Sequence, residues 1–467
     1  MSLLEISTLK DRRIHMVGIG GASMSGLAEM LVRDGFTVSG SDSADGYAIK
    51  RLLSLGIEIK IGHHPEMVKG AGLLVYSAAI APTDPEREEA AKKNIPQMER
   101  AVLLGQLMKK SHEQLCVAGT HGKTTTSSMI AQILAETGRD PTVHLGGSLD
   151  AIGGSVRIGD KDLFVAEACE FNRSFHHMPV SFAVLLNIEE DHLDCYGTMD
   201  KVEEAYLIFL EQLPENGLVL ALGKDERIRR VLSNLTPKDR KVLTFGEDDE
   251  DYTLSELEYN EKGNPSFTVR YRGEGLGQAQ LSVPGYYNAL HALAALAAAH
   301  QLNVPFDEAA ASLSRFTGAH RRFEHTGTVR GMDLYHDYGH NPAEMRVAID
   351  MAKLQNRRVI AVMQPHTFSR VKTLFNEYLT CTKKADITLV TDIFAAREVD
   401  PGDISTPMLV EGMRKHGVNA FHTPDFDSTE AWILINGKKN DLIITMGCGN
   451  INLLNEQMQR NAKESPV

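Results

Sequence analysis

Short apolar runs alternate with helical patterns along almost all of the 467 residues. Near the beginning, RIHMVGIGG predicts a strand that ends in a glycine turn, SGLAEMLVRDG predicts a helix ending at Gly35, and FTVSGSD predicts a second strand. Strand, helix and strand in this order form a βαβ unit, in which the helix covers a parallel sheet. We therefore predict an α/β fold. The chain is too long for one hydrophobic core, so two or three domains are expected.

The alternation continues through two further regions. In the middle of the chain, EQLCVAGTHGKTTTSSMIAQILAETG predicts strand, loop and helix, FAVLLNIEEDHLD predicts a buried strand, and YYNALHALAALAAAHQLN predicts an alanine-rich helix. From FTGAHRRFEHTG onward, the strands RRVIAVMQPH, ADITLVTDI and DLIITMGCG again alternate with helices. The segment AAKKNIPQMERAVLLGQLMK is predicted to be helical after Pro96. Domains are predicted over residues 1–110, 111–317 and 318–467.

Composition and net charge limit the classes of protein to which this chain can belong. Apolar residues make up 42% and charged residues 24% of the chain, which is typical of globular proteins in water. The net charge of −13 argues against a nucleic-acid-binding protein, because such binding depends on clustered Lys and Arg. No window of about 18 apolar residues predicts a membrane span, and the first residues do not resemble a signal peptide. The five scattered cysteines indicate a reducing compartment, so we predict a cytoplasmic protein.

The stretch VAGTHGKTTTSSMI contains a shortened phosphate-binding loop. The common pattern G-x-x-x-x-G-K-[ST] would place its first glycine at Val117, but the nearest glycine is Gly119. A glycine turn between strand and helix still directs backbone N–H groups and the helix dipole at an anion. Lys123 can reach terminal phosphates, and the Thr124 hydroxyl can hold Mg²⁺. The loop indicates ATP or GTP; the alternative is a simple strand–helix turn with a surface lysine.

A second glycine cluster, GIGGASMSG, lies near the N-terminus. Gly18 and Gly20 fit the dinucleotide pattern G-x-G-x-x-G, but Ser23 occupies the third glycine position. Asp42, at the end of the next predicted strand, lies where a ribose contact is expected. Alone, this cluster indicates NAD or another nucleotide diphosphate, or only a tight turn. Together with the first loop, it suggests ATP as one ligand and a nucleotide-linked substrate as the other.

Acidic and imidazole side chains follow two predicted strands of the middle region. FVAEACEFNRSF places Glu167 and Glu170 at one strand end, and NIEEDHLD places Asp191, His192 and Asp194 at another. Chemistry on Mg²⁺–ATP needs such groups, because hard oxygen ligands hold the metal and the metal neutralises the transferred phosphoryl group. Any one of these acids, taken singly, would more often be a solvated surface residue.

Polar residues also gather at two strand ends of the third region, in HDYGHNPAE and QPHTFSR. They are His336, Asp337, Tyr338, His340, His366 and Arg370. A single histidine is usually structural, but two such sets indicate a small-molecule site. A substrate that carries a carboxylate would pair with Arg370.

With these motifs assembled, the chain resembles the Mur ligase family over nearly its whole length. The matching segments, in order, are IHMVGIGGASMSGLAEML, VSGSD, AGTHGKTTT, EACE, NIEEDH, VPGYYNALHALAA, RRFE, DYGHNPAE, QPHTFSR and TMGCGNI. The shortened phosphate loop is the usual form in this family. The resemblance implies three α/β domains: a Rossmann-like domain for a UDP-sugar, a central P-loop domain for ATP, and a Rossmann-like C-terminal domain that admits an amino acid.

The resemblance further implies an activity: ATP-dependent joining of L-alanine to UDP-N-acetylmuramate through an acyl phosphate, in peptidoglycan precursor synthesis. ATP and Mg²⁺ are the implied cofactors, and UDP-N-acetylmuramate and L-alanine the implied partners. No nucleic acid and no membrane span are expected. The protein is expected to be a monomer or a weak dimer.

Site residues follow from the resemblance by position. The implied catalytic residues are Lys123, Glu167 and His192, and the implied metal ligands are Thr124, Glu167 and His192. The implied ATP-binding residues are Gly119, Thr120, His121, Gly122, Lys123, Thr124, Thr125, Asn288, His291, Arg322 and Asp337. The UDP-sugar is expected at Gly18, Gly20, Gly21, Met24, Ser25, Gly26, Asp42 and Ser77. The amino acid is expected at Tyr338, His366 and Arg370.

Some positions depart from the commoner family pattern, and three other functions stay open. The departures are Cys169, Asn172, Tyr287, His291, Asn341 and Thr367. A murein-recycling ligase would add a tripeptide to the same UDP-sugar, and the sequence separates it poorly from the alanine ligase. A retired, non-catalytic nucleotide sensor conflicts with the intact residues Lys123, Thr124, Glu167 and His192. An NAD-dependent oxidoreductase would rest on the N-terminal glycines alone and leave the phosphate loop unexplained.

Overall fold

The computed structural model describes residues 4–159, 162–190, 193–236, 239–396 and 398–464. The chain divides into two compact units. The first comprises Met1–Leu257, Phe267–Gln280 and Ala289–Phe316, and the second comprises Glu258–Ser266, Leu281–Asn288 and Thr317–Val467. The predicted domain boundaries near residues 110 and 318 remain predictions.

The first unit begins with a five-stranded sheet. Its elements are β1 (Arg13–Val17), α1 (Ala22–Arg33), β2 (Val38–Asp42), α2 (Tyr47–Ser54), β3 (Glu58–Ile61), β4 (Ala71–Tyr76), α3 (Pro85–Lys92), β5 (Gln97–Glu99) and α4 (Arg100–Met108). The strand order is β3-β2-β1-β4-β5, and every neighbouring pair is parallel. The helix predicted directly after Pro96 is wrong for its first residues, since Gln97–Glu99 extends the sheet beside β4 and buries Met98.

The middle of the chain forms a ten-stranded sheet. Its elements are β6 (Glu113–Ala118), α5 (Lys123–Glu136), β7 (Thr142–Leu149), β8 (Gly154–Arg157), β9 (Leu163–Ala168), β10 (Phe182–Leu185), α6 (Leu193–Tyr196), α7 (Met199–Glu211), β11 (Leu218–Leu222), α8 (Glu226–Ser233), β12 (Lys241–Gly246), β13 (Tyr252–Tyr259), β14 (Pro265–Tyr271), β15 (Glu274–Gln280), α9 (Tyr286–Gln301) and α10 (Phe306–Ser314). The strand order is β15-β14-β13-β12-β11-β10-β6-β9-β7-β8. Strands β10, β6 and β9 are parallel neighbours at its centre, so the loops that follow them leave from the same edge.

The second unit contains a six-stranded sheet. Its elements are β16 (Glu324–Val329), β17 (Met332–Asp337), α11 (Pro342–Lys353), β18 (Val359–Met363), α12 (Phe368–Thr373), α13 (Phe375–Tyr378), β19 (Ile387–Val390), α14 (Thr406–Lys415), β20 (Ala420–His422), α15 (Phe426–Asn436), β21 (Leu442–Met446) and α16 (Asn452–Glu464). The order is β16-β17-β21-β18-β19-β20, and only the β16–β17 pair is antiparallel.

Three largely parallel sheets confirm the α/β class predicted from the sequence. Their central strands are buried because helices cover both faces: every residue of β10, β18 and β21 is buried, and so is every residue of β6 except Glu113. Within the part of the chain that the structure describes, no helix combines the length and apolar character needed to cross a membrane.

Candidate active site

The shortened phosphate loop connects the buried strand β6 to helix α5 and depends on two glycines. Gly119 and Gly122 have φ angles of +142° and +85°, which side-chain-bearing residues rarely adopt. A Cβ atom on Gly122 would lie 2.2 Å from Nε2 of His291. The imidazole of His291 therefore packs directly against the loop at the N-terminus of α5. The loop has the geometry predicted for it, with a backbone turn opening onto a helix N-terminus.

Lys123 is the first residue of α5, and its ammonium group contacts two carbonyl oxygens of its own loop and one carboxylate. Its Nζ atom donates to the carbonyl oxygens of Gly119 at 2.5 Å and Thr120 at 3.0 Å. The two oxygens of Glu170 lie 2.8 and 3.0 Å from the same atom. Burial favours the neutral amine, but the Glu170 carboxylate outweighs burial and raises the pKa of Lys123. The lysine is a partly buried, paired cation positioned at the mouth of the loop.

The Thr124 hydroxyl and the Glu167 carboxylate meet beside the loop. Thr124 Oγ1 donates to Glu167 Oε2 at 3.1 Å, and the backbone N–H of Gly146 donates to Glu167 Oε1 at 2.7 Å. A hydroxyl and a carboxylate are the oxygen ligands that Mg²⁺ prefers. The third predicted ligand, His192, lies outside the described residues. Among those described, no group of three or more His, Cys, Asp or Glu side chains could hold a metal ion.

Asn187 holds the loop from the neighbouring strand end, and the sequence reasoning missed it. Its side-chain oxygen accepts from the His121 N–H at 2.7 Å, and its amide donates to the His121 carbonyl at 3.0 Å. Its own carbonyl accepts from Thr120 N–H at 3.1 Å. Asn187 follows β10, which pairs with β6. The available signal was its position at the start of the NIEEDH segment, directly after a buried apolar run.

The N-terminal glycine turn is held together by Asp42. One Asp42 oxygen accepts from the Gly20 N–H at 2.8 Å, and the other accepts from Ala44 N–H at 3.2 Å. Gly18 has a φ angle of +73°, so the turn needs glycine there. Asp42, which is predicted to contact a ribose, thus also stabilises the glycine turn.

Other residues predicted to bind the UDP-sugar belong to the packing of helix α1. Met24 and Ser25 are buried, and a Cβ atom on Gly26 would lie 2.0 Å from Cγ2 of Val156 in β8. Gly26 therefore allows α1 to approach β8 closely. Ser77 lies just after β4 and is partly buried.

In the second unit, Asp337 and Tyr338 are organised by the RRFE segment. Asp337 accepts backbone N–H groups from Phe323 at 2.8 Å and Gly339 at 2.7 Å, and burial raises its pKa. The guanidinium carbons of Arg321 and Arg322 lie 4.7 and 5.1 Å from the centre of the Tyr338 ring. At these distances both guanidinium groups make cation–π contacts with the ring. The sequence prediction included Arg322 but missed Arg321.

His336 is a buried neutral imidazole whose protonation state follows from its partners. Arg321 Nε donates to His336 Nε2 at 3.1 Å, so that nitrogen is an acceptor. His336 Nδ1 therefore carries the proton and donates to Thr445 Oγ1 at 3.0 Å. Burial, followed by the Arg321 charge, lowers the pKa of His336 to about 3.

We expect this histidine to make the protein less stable in acid. The pKa of His336 in the folded protein lies below the ordinary 6.5, so the unfolded protein binds this proton more readily. The contribution of His336 to the free energy of unfolding is therefore complete above pH 6.5 and is lost as the pH falls toward 3. At pH 5 the expected loss from this group is about 2 kcal/mol. Urea unfolding of the wild type and of His336→Asn at pH 7 and pH 5 measures it. Equal pH dependence in the two proteins would contradict the assignment.

The residues predicted to receive the amino acid follow two strands: Tyr338 comes directly after β17, and His366 and Arg370 come after β18. Arg370 Nη1 donates to Nδ1 of His366 at 3.4 Å, and the His366 ring stacks on Phe394 with centroids 5.7 Å apart. The rings of His340 and His366 are 6.1 Å apart, and those of Tyr338 and His340 are 5.8 Å apart. Burial, then the Arg370 charge, lowers the pKa of His366 to about 4, so it is neutral at pH 7.

Asn288 lies in the first turn of α9, where its amide donates to the Pro284 carbonyl at 2.7 Å. It belongs to the second unit, whereas His291 belongs to the first. The His291 imidazole is buried against Gly122, and burial lowers its pKa to about 4.

Comparison with known proteins places this geometry in a family. The model described as Mur ligase family, catalytic domain, matches residues 13–112; Mur ligase middle domain matches 117–299; and Mur ligase, glutamate ligase domain, matches 321–449. A UDP-N-acetylmuramate–L-alanine ligase of Caldanaerobacter subterraneus subsp. tengcongensis is 41% identical over 463 residues, covering 99% of this chain and 100% of the relative. The chain belongs to the Mur ligase family.

Further relatives support the assignment of this chain to the Mur ligase family. A UDP-N-acetylmuramate–L-alanine ligase of Acetivibrio thermocellus is 41% identical over 97% of this chain and 96% of its own length. The crystal structure of UDP-N-acetylmuramate-alanine ligase from Thermotoga maritima superimposes with a TM-score of 0.82 at 25% identity, covering 97% of this chain and 99% of that one. A murein peptide ligase from Psychrobacter arcticus shares the fold, with a TM-score of 0.73 at 22% identity over 98% and 100% of the two chains. The resemblance inferred from the ordered motifs is confirmed.

Thr367 has a strained backbone conformation in the region of this Mur ligase that is predicted to receive the amino acid. Its φ of +61° and ψ of 139° are unfavourable for a β-branched residue. Thr367 forms the turn between His366 and α12. The Thr367 N–H donates to the Phe394 carbonyl at 2.9 Å, and Phe394 N–H donates to Pro365 at 2.8 Å. These bonds hold the strained turn against the ring that stacks on His366.

Thr367→Gly is therefore expected to stabilise the Mur ligase while weakening its catalysis. Relief of strain, less the entropy cost of glycine, should raise the free energy of unfolding by about 1 kcal/mol. Because the turn then holds His366 less firmly, kcat/KM for the amino acid should fall roughly tenfold. Asn356→Gly is the control, because Asn356 has a similar φ of +51° but lies in the turn after α11. Lower stability in Thr367→Gly, or unchanged kcat/KM, would refute the prediction.

Proposed function

We propose that this Mur ligase joins L-alanine to UDP-N-acetylmuramate, with conversion of ATP to ADP and phosphate, in peptidoglycan precursor synthesis. The observation that carries the proposal is the loop in which a partly buried Lys123 ammonium stands beside the paired Thr124 and Glu167 side chains. Near-full-length relatives at 41% identity bear the name UDP-N-acetylmuramate–L-alanine ligase, which supports the choice of substrates.

In the first step, the lactyl carboxylate of UDP-N-acetylmuramate attacks the γ-phosphorus of ATP. A carboxyl O–P bond forms, the bond from the γ-phosphorus to the β,γ-bridging oxygen breaks, and ADP leaves. Both reactants are anions, so the barrier contains a large electrostatic repulsion. The Lys123 ammonium and the N-terminus of α5 supply fixed positive charge where the phosphates lie. The glycine loop adds backbone N–H groups that need no reorganisation.

In the second step, the amine of L-alanine attacks the acyl-phosphate carbonyl. A C–N bond forms, the C–O bond to phosphate breaks, and the amine releases a proton. The Arg370 guanidinium suits the carboxylate of the amino acid, because the planar fork can donate two hydrogen bonds. His366 is neutral near pH 7, so it does not compete with Arg370 for that carboxylate.

A divalent metal fits the residues beside the loop. Thr124 and Glu167 would hold Mg²⁺, with His192 as the further proposed ligand, and the ion would neutralise phosphate charge when bound. Thr124 donates its hydroxyl proton to Glu167 at 3.1 Å, so the two oxygens lie close together. A cytoplasmic location and a monomer or weak dimer are further parts of the proposal.

The first experiment is phosphate release from Mg²⁺–ATP and UDP-N-acetylmuramate, with L-alanine or the stem tripeptide added in parallel. Release that depends on L-alanine, together with an amide product of the expected mass, is the predicted result. Release that depends on the tripeptide alone would make the protein a recycling ligase. Binding of ATP without release in either reaction would make it a nucleotide sensor and refute the proposal.

A further inference from the structure

Ser23, which occupies the third glycine position of the N-terminal motif, links an arginine to a histidine. Nη1 of Arg100, the first residue of α4, donates to Ser23 Oγ at 2.9 Å. Ser23 Oγ lies 2.8 Å from Nε2 of His144 in β7. The three residues are separated by 77 and 121 positions in sequence, so only the tertiary fold brings them together.

The donor in the first of these hydrogen bonds follows from the chemistry of the groups. A guanidinium only donates, so Ser23 Oγ accepts from Arg100, and the same oxygen lies within hydrogen-bond distance of His144 Nε2. His144 is 3% exposed, and burial, followed by the Arg100 charge, lowers its pKa to about 4. The neutral His144 thus fixes Ser23, and Ser23 fixes the orientation of Arg100.

Arg100 carries a positive charge without a neutralising carboxylate. In the described parts of the chain, no Asp or Glu oxygen lies within salt-bridge distance of its guanidinium, although the side chain is partly buried. Two other cations of the first unit have carboxylate partners: Lys123 lies 2.8 Å from Glu170, and Arg51 lies 2.6 Å from Glu29. A partly buried guanidinium that is oriented but has no counter-ion is suited to bind an anionic ligand.

The position of the Arg100 guanidinium indicates which anionic group of a ligand it would contact. Ser23 lies at the start of α1, next to the glycine turn. His144 pairs in register with Ala166 of β9, the neighbour of Glu167. The Glu99 carboxylate, one residue before Arg100, accepts from the Asn172 amide at 3.5 Å. Arg100 therefore lies between the glycine turn and the segment that carries Glu167.

We propose that Arg100 binds the lactyl carboxylate of UDP-N-acetylmuramate and that Ser23 and His144 hold it in place for this contact. The inference rests on the proposed function. A UDP-sugar whose diphosphate lies on the glycine turn must extend its carboxylate toward the Glu167 segment, and Arg100 stands on that path. Arg100 thereby positions the attacking carboxylate, and its charge offsets the repulsion between carboxylate and ATP.

The test compares two ligands on the full chain by calorimetry: UDP-N-acetylmuramate and UDP-N-acetylglucosamine, which lacks the lactyl carboxylate. Arg100→Ala should weaken binding of UDP-N-acetylmuramate by about 10- to 100-fold. Its affinity for UDP-N-acetylglucosamine should stay within about twofold of the wild type, because the lost contact is absent from that ligand. Arg100→Lys, which keeps the charge, should recover part of the loss.

Arg33→Ala is the matched control, because Arg33 reaches the Ile158 carbonyl at 3.0 Å but lies at the far end of α1. It should change neither affinity. Equal losses for both ligands in Arg100→Ala would place the guanidinium on the diphosphate and overturn the proposal, as would unchanged binding of both. If Arg100→Ala does not fold, the proposal is tested with Arg100→Lys and Ser23→Ala instead. The ratio of their affinities for UDP-N-acetylmuramate and UDP-N-acetylglucosamine is compared with that of the wild type. Absence of ligation by the wild type would refute the proposed function separately, since the binding ratio is read without turnover.

Discussion

Replacing Lys123 with alanine is expected to abolish ligation, with kcat reduced by about a thousandfold or more. The ammonium is the only charged side chain that the shortened loop itself contributes, and it lies at the N-terminus of α5 where phosphates are expected. Phosphate release in the presence of both substrates measures the effect. Activity near that of the wild type would refute the assignment of this loop to ATP.

The same substitution should also destabilise the fold, because it leaves a buried carboxylate without its partner. Glu170 is 3% exposed, and removal of one member of a buried ion pair costs about 3–5 kcal/mol. The double variant Lys123→Ala, Glu170→Gln removes the unpaired charge, so its stability should return toward that of the wild type while ligation stays absent. Chemical denaturation of the wild type and the two variants separates the two effects. Equal stability of the single and double variants would contradict the pairing with Glu170.

Gly122→Ala is expected to prevent nucleotide binding and to destabilise the protein by about 2–4 kcal/mol. The residue has a φ of +85°, and its new methyl group would lie 2.2 Å from the buried His291 ring. The backbone therefore cannot keep both its turn and the histidine in place. Binding of a fluorescent ATP analogue and thermal unfolding measure the two consequences.

Gly138→Ala is the matched control for this substitution. Gly138 follows the other end of α5 with a φ of +77°, but a Cβ atom there has no neighbour within 4 Å. It should cost only about 1 kcal/mol of backbone strain and leave nucleotide binding intact. Adding His291→Ala to Gly122→Ala should recover the part of the loss that comes from the clash. Equal effects of the two glycine substitutions would show that the contact with His291 is unimportant.

The local features of the site were predictable because they depend on short stretches of sequence. A strand, a glycine turn and a helix N-terminus occupy neighbouring residues, so AGTHGKTTT was sufficient to predict a phosphate loop at Gly119–Thr125. Strand ends could be recognised from apolar runs followed by polar residues, which predicted Glu167 and His366. The segment after Pro96 shows the limit of such patterns, because three residues with helical propensity pair with β4 instead.

By itself, the sequence determined the α/β class, the glycine turn between a strand and a helix, and the membership of a family, since each rests on the order and spacing of short motifs. Only the tertiary structure decided which side chains complete the site. Glu170 reaches Lys123 across 47 positions, Asn187 reaches His121 across 66, and Arg100 reaches Ser23 across 77. Such contacts depend on which strands become neighbours in the sheet and how helices pack on it. Hydrophobic periodicity identifies strands and helices but does not specify these neighbours.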